Sequence, residues 1–70
     1  MNRKEILGQN IRLLREAKGL NQTELGKVLS VSFRTISAWE LGEHAPDIDR
    51  IVDIAKFFDV TTDYLLGVDL

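Results

Sequence analysis

The same helix-start signal occurs twice near the middle of the chain. In the segment 20–25, the N-cap residue Asn21 is followed three residues later by Glu24, and the flanking leucines can form a hydrophobic staple. In the segment 31–36, Ser32 is a second good N-cap, flanked by valine and isoleucine at the same staple spacing. Two caps this close together constrain the chain to a short helix, a tight turn and another short helix.

Apolar residues at helical spacing, together with caps and stop residues, predict three further helices. No run alternates with period two for long enough to form a strand, so the predicted fold class is all-α, with the apolar stripes of all helices meeting in one core. The inward stripe expected for the fourth helix consists of Ile48, Ile51, Val52, Ala55 and Phe58. The predicted helices, in chain order, cover residues 2–18, 22–29, 33–41, 48–58 and 62–66.

Size and composition exclude several classes of protein. A chain of 70 residues predicts one domain spanning residues 1–70, with a core too small to enclose a substrate or other small molecule, which argues against an enzyme. The absence of cysteine excludes disulfides and thiolate metal sites, and fits a reducing cytoplasm. No apolar run reaches the about 20 residues of a membrane span. We therefore expect a soluble cytoplasmic protein without metal or cofactor.

Charge is divided unevenly along the chain. Residues 1–35 hold seven basic and three acidic side chains, a balance of +4, whereas residues 36–70 hold two basic and eight acidic ones, a balance of −6. Such asymmetry is typical of a surface that meets a polyanion on one side only. Chance segregation of solvated charges is the alternative.

The third predicted helix has two distinct faces. Its period places Ile36, Trp39 and Glu40 on the inward side. Together with the second helix it forms a helix-turn-helix between about residues 21 and 41, in which the projecting helix fits a DNA major groove about 12 Å wide. A purely structural corner between two helices would show the same pattern. The residues expected to face outward are Phe33, Arg34, Ser37 and Ala38.

Several motifs, in order and spacing, extend this pattern over about residues 6–67. They are NIRLLR at 10–15, GLNQTEL at 19–25, TISAWE at 35–40, PD at 46–47 and VTTDYLLG at 60–67. In these motifs the chain resembles the Cro and phage-repressor type of bacterial helix-turn-helix regulator, often called the xenobiotic-response-element family. The resemblance implies the compact five-helix fold of that family. It also implies a bacterial or phage transcriptional regulator, in most cases a repressor that occupies double-stranded operator DNA as a homodimer.

The resemblance also assigns roles to individual residues. Arg34 is the one helix-3 residue able to pair bidentately with guanine, and Phe33 is suited to a thymine methyl group. Arg15 and Glu40 match a salt bridge between the first and third helices. The residues expected to contact DNA phosphates are Asn21, Gln22 and Thr35, two of them at a helix N-terminus that favours anions. Those expected to contact bases are Ser32, Phe33, Arg34, Ser37 and Ala38.

Some residues depart from the family pattern. Ser30 occupies a turn position where glycine is usual, so a left-handed backbone would cost about 1 kcal/mol, and a rearranged turn is the alternative. Glu43 and His44 stand in a loop where many relatives are basic, which predicts modest, salt-sensitive affinity, with the loop's backbone N–H groups still available to phosphate. His44 is expected to be solvated rather than a metal ligand.

Two further hypotheses concern partners. The acidic second half favours, as an alternative function, a protein-interaction module such as an antitoxin-like or adaptor domain. The apolar residues near the end of the chain exceed what one short helix needs for its own core, which suggests a homodimer seam, with core packing as the alternative. The residues of this predicted seam are Phe57, Phe58, Tyr64, Leu65 and Leu66.

Overall fold

The computed structural model describes residues 1–68, which form five α-helices joined by short turns, without a strand. Each helix lies within one residue of its predicted bounds, so the all-α prediction is confirmed. No helix in this part of the chain combines the length and the hydropathy needed to cross a membrane. The helices are α1 (Arg3–Ala17), α2 (Gln22–Leu29), α3 (Phe33–Glu40), α4 (Ile48–Phe58) and α5 (Thr62–Leu66).

Local side-chain hydrogen bonds explain why the helices begin where they do. Each N-cap side chain accepts a hydrogen bond from the backbone N–H three residues later, which satisfies a donor that has no partner within the helix. At α2 the interaction is reciprocal, because Glu24 Oε1 also accepts from the backbone N–H of Asn21 at 2.9 Å. The observed caps are Asn2, Asn21, Ser32, Asp47 and Thr61.

Every helix contributes one fully buried side chain to a single core. Burial of an aliphatic side chain of this kind stabilises the fold by about 1.5 to 3 kcal/mol. Trp39 and Phe58 pack around this centre, and the predicted core role of Trp39 is confirmed. The five fully buried side chains are Ile11, Leu25, Ile36, Ile54 and Leu65.

The prediction for α4 was partly wrong. Ile48 is 80% exposed and Val52 is also exposed, whereas Ile54 is completely buried. The inward stripe runs through residues 51, 54, 55 and 58, so Val52 lies on its flank. Ile48 is in the first turn of α4, beyond the part of the helix that packs on the core.

The predicted seam near the end of the chain is also mostly core. Leu65 and Phe58 are buried, and Phe57 and Leu66 pack against them. Their apolar surface is used inside the domain because α5 lies on α1 and α4. Only Tyr64 of the predicted seam is exposed.

Two helical glycines permit close backbone approaches. A Cβ at Gly8 would overlap the carbonyl oxygen of Trp39, where α1 crosses the end of α3. A Cβ at Gly26 would lie 2.5 Å from the carbonyl oxygen of Val31, and the Gly26 oxygen itself accepts a 2.9 Å hydrogen bond from the Val31 N–H. The absence of a side chain at Gly26 therefore lets the turn fold back tightly onto α2.

The turn between α2 and α3 keeps its left-handed residue. Ser30 has φ 59° and ψ 40°, so the backbone adopts the conformation that glycine usually provides. The alternative of a rearranged turn is therefore wrong. The strain is tolerated because Gly26 and Val31 are fixed on either side by their hydrogen bond.

Candidate nucleic-acid interface

The first turn of α3 projects from the domain. Phe33 is 49% exposed and Arg34 is exposed as well, whereas Ser37 and Ala38 on the next turn are half-buried. The opposite face carries Ile36, which is completely buried. The predicted division of α3 into an inward and an outward face is therefore confirmed.

A nearly buried ion pair fixes the other end of α3. The guanidinium of Arg15 donates from Nε to Glu40 Oε2 at 2.6 Å and from Nη2 to Glu40 Oε1 at 2.9 Å. A third donor, Nη1, bonds the carbonyl oxygen of Leu20 at 2.9 Å. One side chain of α1 thus holds both the end of α3 and the loop before α2.

The surroundings of Arg15 keep its guanidinium protonated. The hydrogen bond to Glu40 raises the pKa of Arg15, burial lowers it, and the negative charges of Glu40 and Glu16 raise it further. The net direction is upward, so the guanidinium stays ionised although its side chain is mostly buried.

Gln22 joins the same network at the start of α2. Its Nε2 donates to Glu40 Oε1 at 3.1 Å, so the half-buried side chain is held between α2 and α3. An amide nitrogen carries two hydrogens, and only one is used here. The second remains available at a helix N-terminus, where partial positive charge favours an anion.

Three other predicted contact residues also have local structural roles. Asn21 Oδ1 accepts from the Glu24 N–H at 2.7 Å, which leaves its Nδ2 as the group able to donate outward. Ser32 Oγ accepts from the Thr35 N–H at 3.3 Å and lies 3.3 Å from Thr35 Oγ1. The hydroxyl groups of Ser32 and Thr35 are therefore positioned by the cap of α3.

In the loop after α3, three backbone N–H groups form hydrogen bonds within the domain, although they were expected to be available to a DNA phosphate. The N–H groups of Glu43 and His44 both donate to the carbonyl oxygen of Ala38, at 3.0 and 3.4 Å. The Gly42 N–H donates to the carbonyl oxygen of Trp39 at 3.1 Å. These donors satisfy the open carbonyl groups at the end of α3. The N–H groups of Gly42, Glu43 and His44 are therefore used within the domain and do not face a phosphate, while the side chains of Glu43 and His44 are exposed as expected.

On the surface formed by residues 1–68, a shallow open depression on α1 is lined by Gln9, Arg12, Leu13 and Glu16. Within the same residues, no three histidine, aspartate or glutamate side chains are grouped as a metal site would need.

Comparison with known proteins shows which family has this arrangement of helices. The family model described as helix-turn-helix matches residues 11–65. The chain belongs to the helix-turn-helix family. The matched region contains α2, the turn and α3, together with the partners of α3 in the ion-pair network, so the resemblance to phage repressors is confirmed.

The curated helix-turn-helix relatives include both a transcriptional activator and a repressor. The chain is 41% identical over 59 residues to the HTH-type transcriptional activator BcrR of Enterococcus faecalis, covering 84% of the chain and 29% of BcrR. It is 35% identical over 66 residues to Repressor protein C2 of Salmonella phage P22, covering 94% of the chain and 31% of C2. The chain therefore spans about a third of the length of these relatives.

Solved helix-turn-helix structures share the fold. The P22 c2 repressor in complex with synthetic operator 9T superimposes with a TM-score of 0.83 at 35% identity, covering 90% of this chain and 96% of that one. The DNA-binding domain of the same repressor (residues 1–76) in solution also gives a TM-score of 0.83, at 36% identity, over 100% and 91% of the two chains. The predicted five-helix phage-repressor fold is thus confirmed.

Proposed function

We propose that the chain is a single domain, with its motif at about residues 21–41, that binds double-stranded DNA sequence-specifically and regulates transcription. The observation that supports this most directly is the contrast between the two ends of α3. Its first turn exposes Phe33 and Arg34, while its last turn is held by the Arg15–Glu40 pair. A helix fixed at one end and projecting at the other can enter a major groove without losing its orientation.

The side chains of the first two turns of α3 are our candidates for base contact. Arg34 supplies paired donors for guanine O6 and N7, and Phe33 supplies an apolar surface for a thymine methyl group. The smaller side chains allow close approach of the helix to the groove. The proposed base-contact set is Ser32, Phe33, Arg34, Ser37 and Ala38.

Residues at the two helix starts are our candidates for phosphate contact. Gln22 and Asn21 each retain an amide donor near the N-terminus of α2, and Thr35 carries a hydroxyl near the N-terminus of α3. These contacts fix the position of the domain on the duplex without reading sequence. Because Gln22 is tied to Glu40, its contact with a phosphate would also fix α3 against the DNA.

We infer that the domain acts as a homodimer on paired half-sites, in the compartment that holds the DNA, and represses transcription. Repression is supported by the similarity to the P22 repressor over 94% of the chain. No catalytic step is included, because the family regulates transcription by binding.

The test is selection of duplexes from a random pool at about 100 mM salt, followed by affinity measurements against salt concentration. We expect an enriched palindrome with half-sites about 10 base pairs apart. Arg34→Ala should lose preference at one guanine, by about 1 to 3 kcal/mol, whereas Gln22→Ala should weaken every duplex equally. Lys56→Ala, which removes a positive charge outside the motif, is the matched control.

A protein-interaction module remains the second candidate. The exposed acidic side chain of Glu43 and the occupied N–H groups of Gly42, Glu43 and His44 reduce the attraction of this region for phosphate. A pull-down with a basic partner protein in the absence of DNA would support this function. Absence of any enriched duplex, with binding that disappears as salt rises, would favour it over DNA recognition.

A further inference from the structure

The two exposed side chains at the start of α3 contact each other. Arg34 Cζ lies 5.7 Å from the centroid of the Phe33 ring, within the range of a cation–π interaction. Among residues 1–68 the Arg34 guanidinium has neither a hydrogen bond nor an ion pair, so its five donors are free. Among these residues, the ring of Phe33 is the group that lies over the guanidinium.

Contact with Phe33 matters because Arg34 is long and otherwise unrestrained. Bidentate recognition of guanine requires the guanidinium plane to lie in the plane of the base. An arginine that is already oriented loses less conformational freedom when it forms these bonds. The ring of Phe33, next to the guanidinium, then lies beside the neighbouring base pair.

Resting on the proposed DNA-binding function, we propose that Phe33 and Arg34 act as one unit. Arg34 reads a guanine, and Phe33 both positions Arg34 and contacts the C5-methyl group of a pyrimidine next to that guanine. The partner is therefore a guanine adjacent to a methylpyrimidine, which is either thymine or 5-methylcytosine. Phe33 is a positioning and specificity residue in this scheme.

The chemistry of the groove supports this choice of partner. Thymine presents its C5-methyl group in the major groove, where apolar side chains contact it. 5-Methylcytosine carries a methyl group at the same ring position, whereas cytosine and uracil carry hydrogen there. Phe33 offers no group to distinguish the O4 of thymine from the N4 of cytosine, so the methyl group decides. Binding at this step should consequently respond to cytosine methylation.

The experiment uses the duplex obtained by selection, prepared in four versions that differ only at the pyrimidine next to the critical guanine. That base is thymine, uracil, cytosine or 5-methylcytosine. Burial of one methyl group is worth about fourfold in affinity. We therefore expect thymine to exceed uracil, and 5-methylcytosine to exceed cytosine, each by about fourfold.

Variants separate the two roles of Phe33. Phe33→Ala should abolish both methyl preferences and reduce the discrimination for guanine. Phe33→Leu keeps an apolar contact but has no ring, so it should retain part of the methyl preference and reduce the discrimination for guanine as much as Phe33→Ala does. Phe33→Tyr should preserve both. Because Phe33 is half-exposed, all three variants should unfold at nearly the wild-type temperature, which excludes misfolding as the cause.

The possible failures are distinguishable. If a duplex is selected but binds equally well with and without the methyl group, or if Phe33→Leu discriminates guanine as the wild type does, this inference is overturned and the proposed function stands. If no duplex is selected, the proposed function fails and the inference fails with it.

Discussion

Arg15 and Glu40 meet side by side between α1 and α3, with two nearly parallel hydrogen bonds of 2.6 and 2.9 Å. Their side chains are only 11% and 4% exposed. A pair in this position is strong in geometry but costly to desolvate, so its importance becomes visible when one partner is removed. The pair also determines how Gln22 is held, since Glu40 accepts from both side chains.

Removal of one partner should destabilise the protein strongly. We expect Arg15→Met to lower the free energy of unfolding by about 3 to 5 kcal/mol, because it leaves the Glu40 carboxylate buried without its counterion. The double variant Arg15→Met/Glu40→Met should recover most of this loss. Urea unfolding followed by circular dichroism measures both.

The exposed pair of Arg12 and Glu16, 3.5 Å apart, provides the control. Arg12→Met should change stability by at most about 0.5 kcal/mol. An equal effect of Arg12→Met and Arg15→Met would contradict our interpretation of the buried pair. Because the pKa of Arg15 is raised, its contribution to stability is fully present below the pKa of an unfolded arginine, so it should not change between neutral and mildly alkaline pH.

Gly26→Ala tests the tight turn. Alanine normally favours a helix by about 1 kcal/mol over glycine. Here its Cβ would lie 2.5 Å from the Val31 carbonyl oxygen, so we expect a net loss of stability of about 1 to 3 kcal/mol. Thermal unfolding measures this loss. Gly19→Ala, in open space but at φ 72°, is the control and should cost about 1 kcal/mol through strain alone. A gain in stability for Gly26→Ala would show that the turn adjusts freely.

In contrast to Gly26→Ala, the variant Ser30→Gly should stabilise the protein. Glycine removes the strain at φ 59° but gives the unfolded chain more freedom, so the expected net gain is about 0.5 kcal/mol. Asp59 has a similar φ of 55°, and Asp59→Gly should gain less because aspartate tolerates this conformation better than serine. Chemical denaturation of both variants measures the difference, and a loss of stability for Ser30→Gly would refute the strain argument.

Asn10→Asp tests how α5 is attached. Asn10 Nδ2 donates to the carbonyl oxygens of Tyr64 and Leu65, at 3.3 and 3.0 Å. An aspartate would place a carboxylate against these oxygens, so the backbone amides of α5 should exchange with deuterium faster, and stability should fall by about 1 to 3 kcal/mol. Gln9→Glu, which adds the same charge at an exposed neighbour, should leave exchange in α5 unchanged. Uniform acceleration in both variants would indicate a general charge effect instead.

The helix starts could be predicted because their causes are local. Asn21 and Ser32 each bond a backbone group three residues away, and that distance is visible in the sequence. The burial of Ile54 in place of Val52 could not be predicted in this way, since both have helical neighbours at apolar spacing. Which of them faces inward depends on how the other helices cover α4.

The candidate site shows the same distinction. Family motifs indicated Arg15 and Glu40 together, whereas the bond between Gln22 and Glu40 joins residues that no local rule connects. The inward N–H groups of Glu43 and His44 depend on how α3 ends, which the loop composition did not reveal. The contact of Phe33 with Arg34 had a signal in the sequence, an aromatic residue beside an arginine on one exposed turn.

The hydrogen bond from Arg3 Nη1 to the Leu66 carbonyl oxygen joins the first turn of α1 to the last turn of α5. The two ends of the helical bundle are consequently adjacent. Domains with neighbouring ends tolerate circular permutation and insertion into other proteins. A unit of this geometry can be placed within a surface loop of a host protein, because its first and last helical turns already lie side by side.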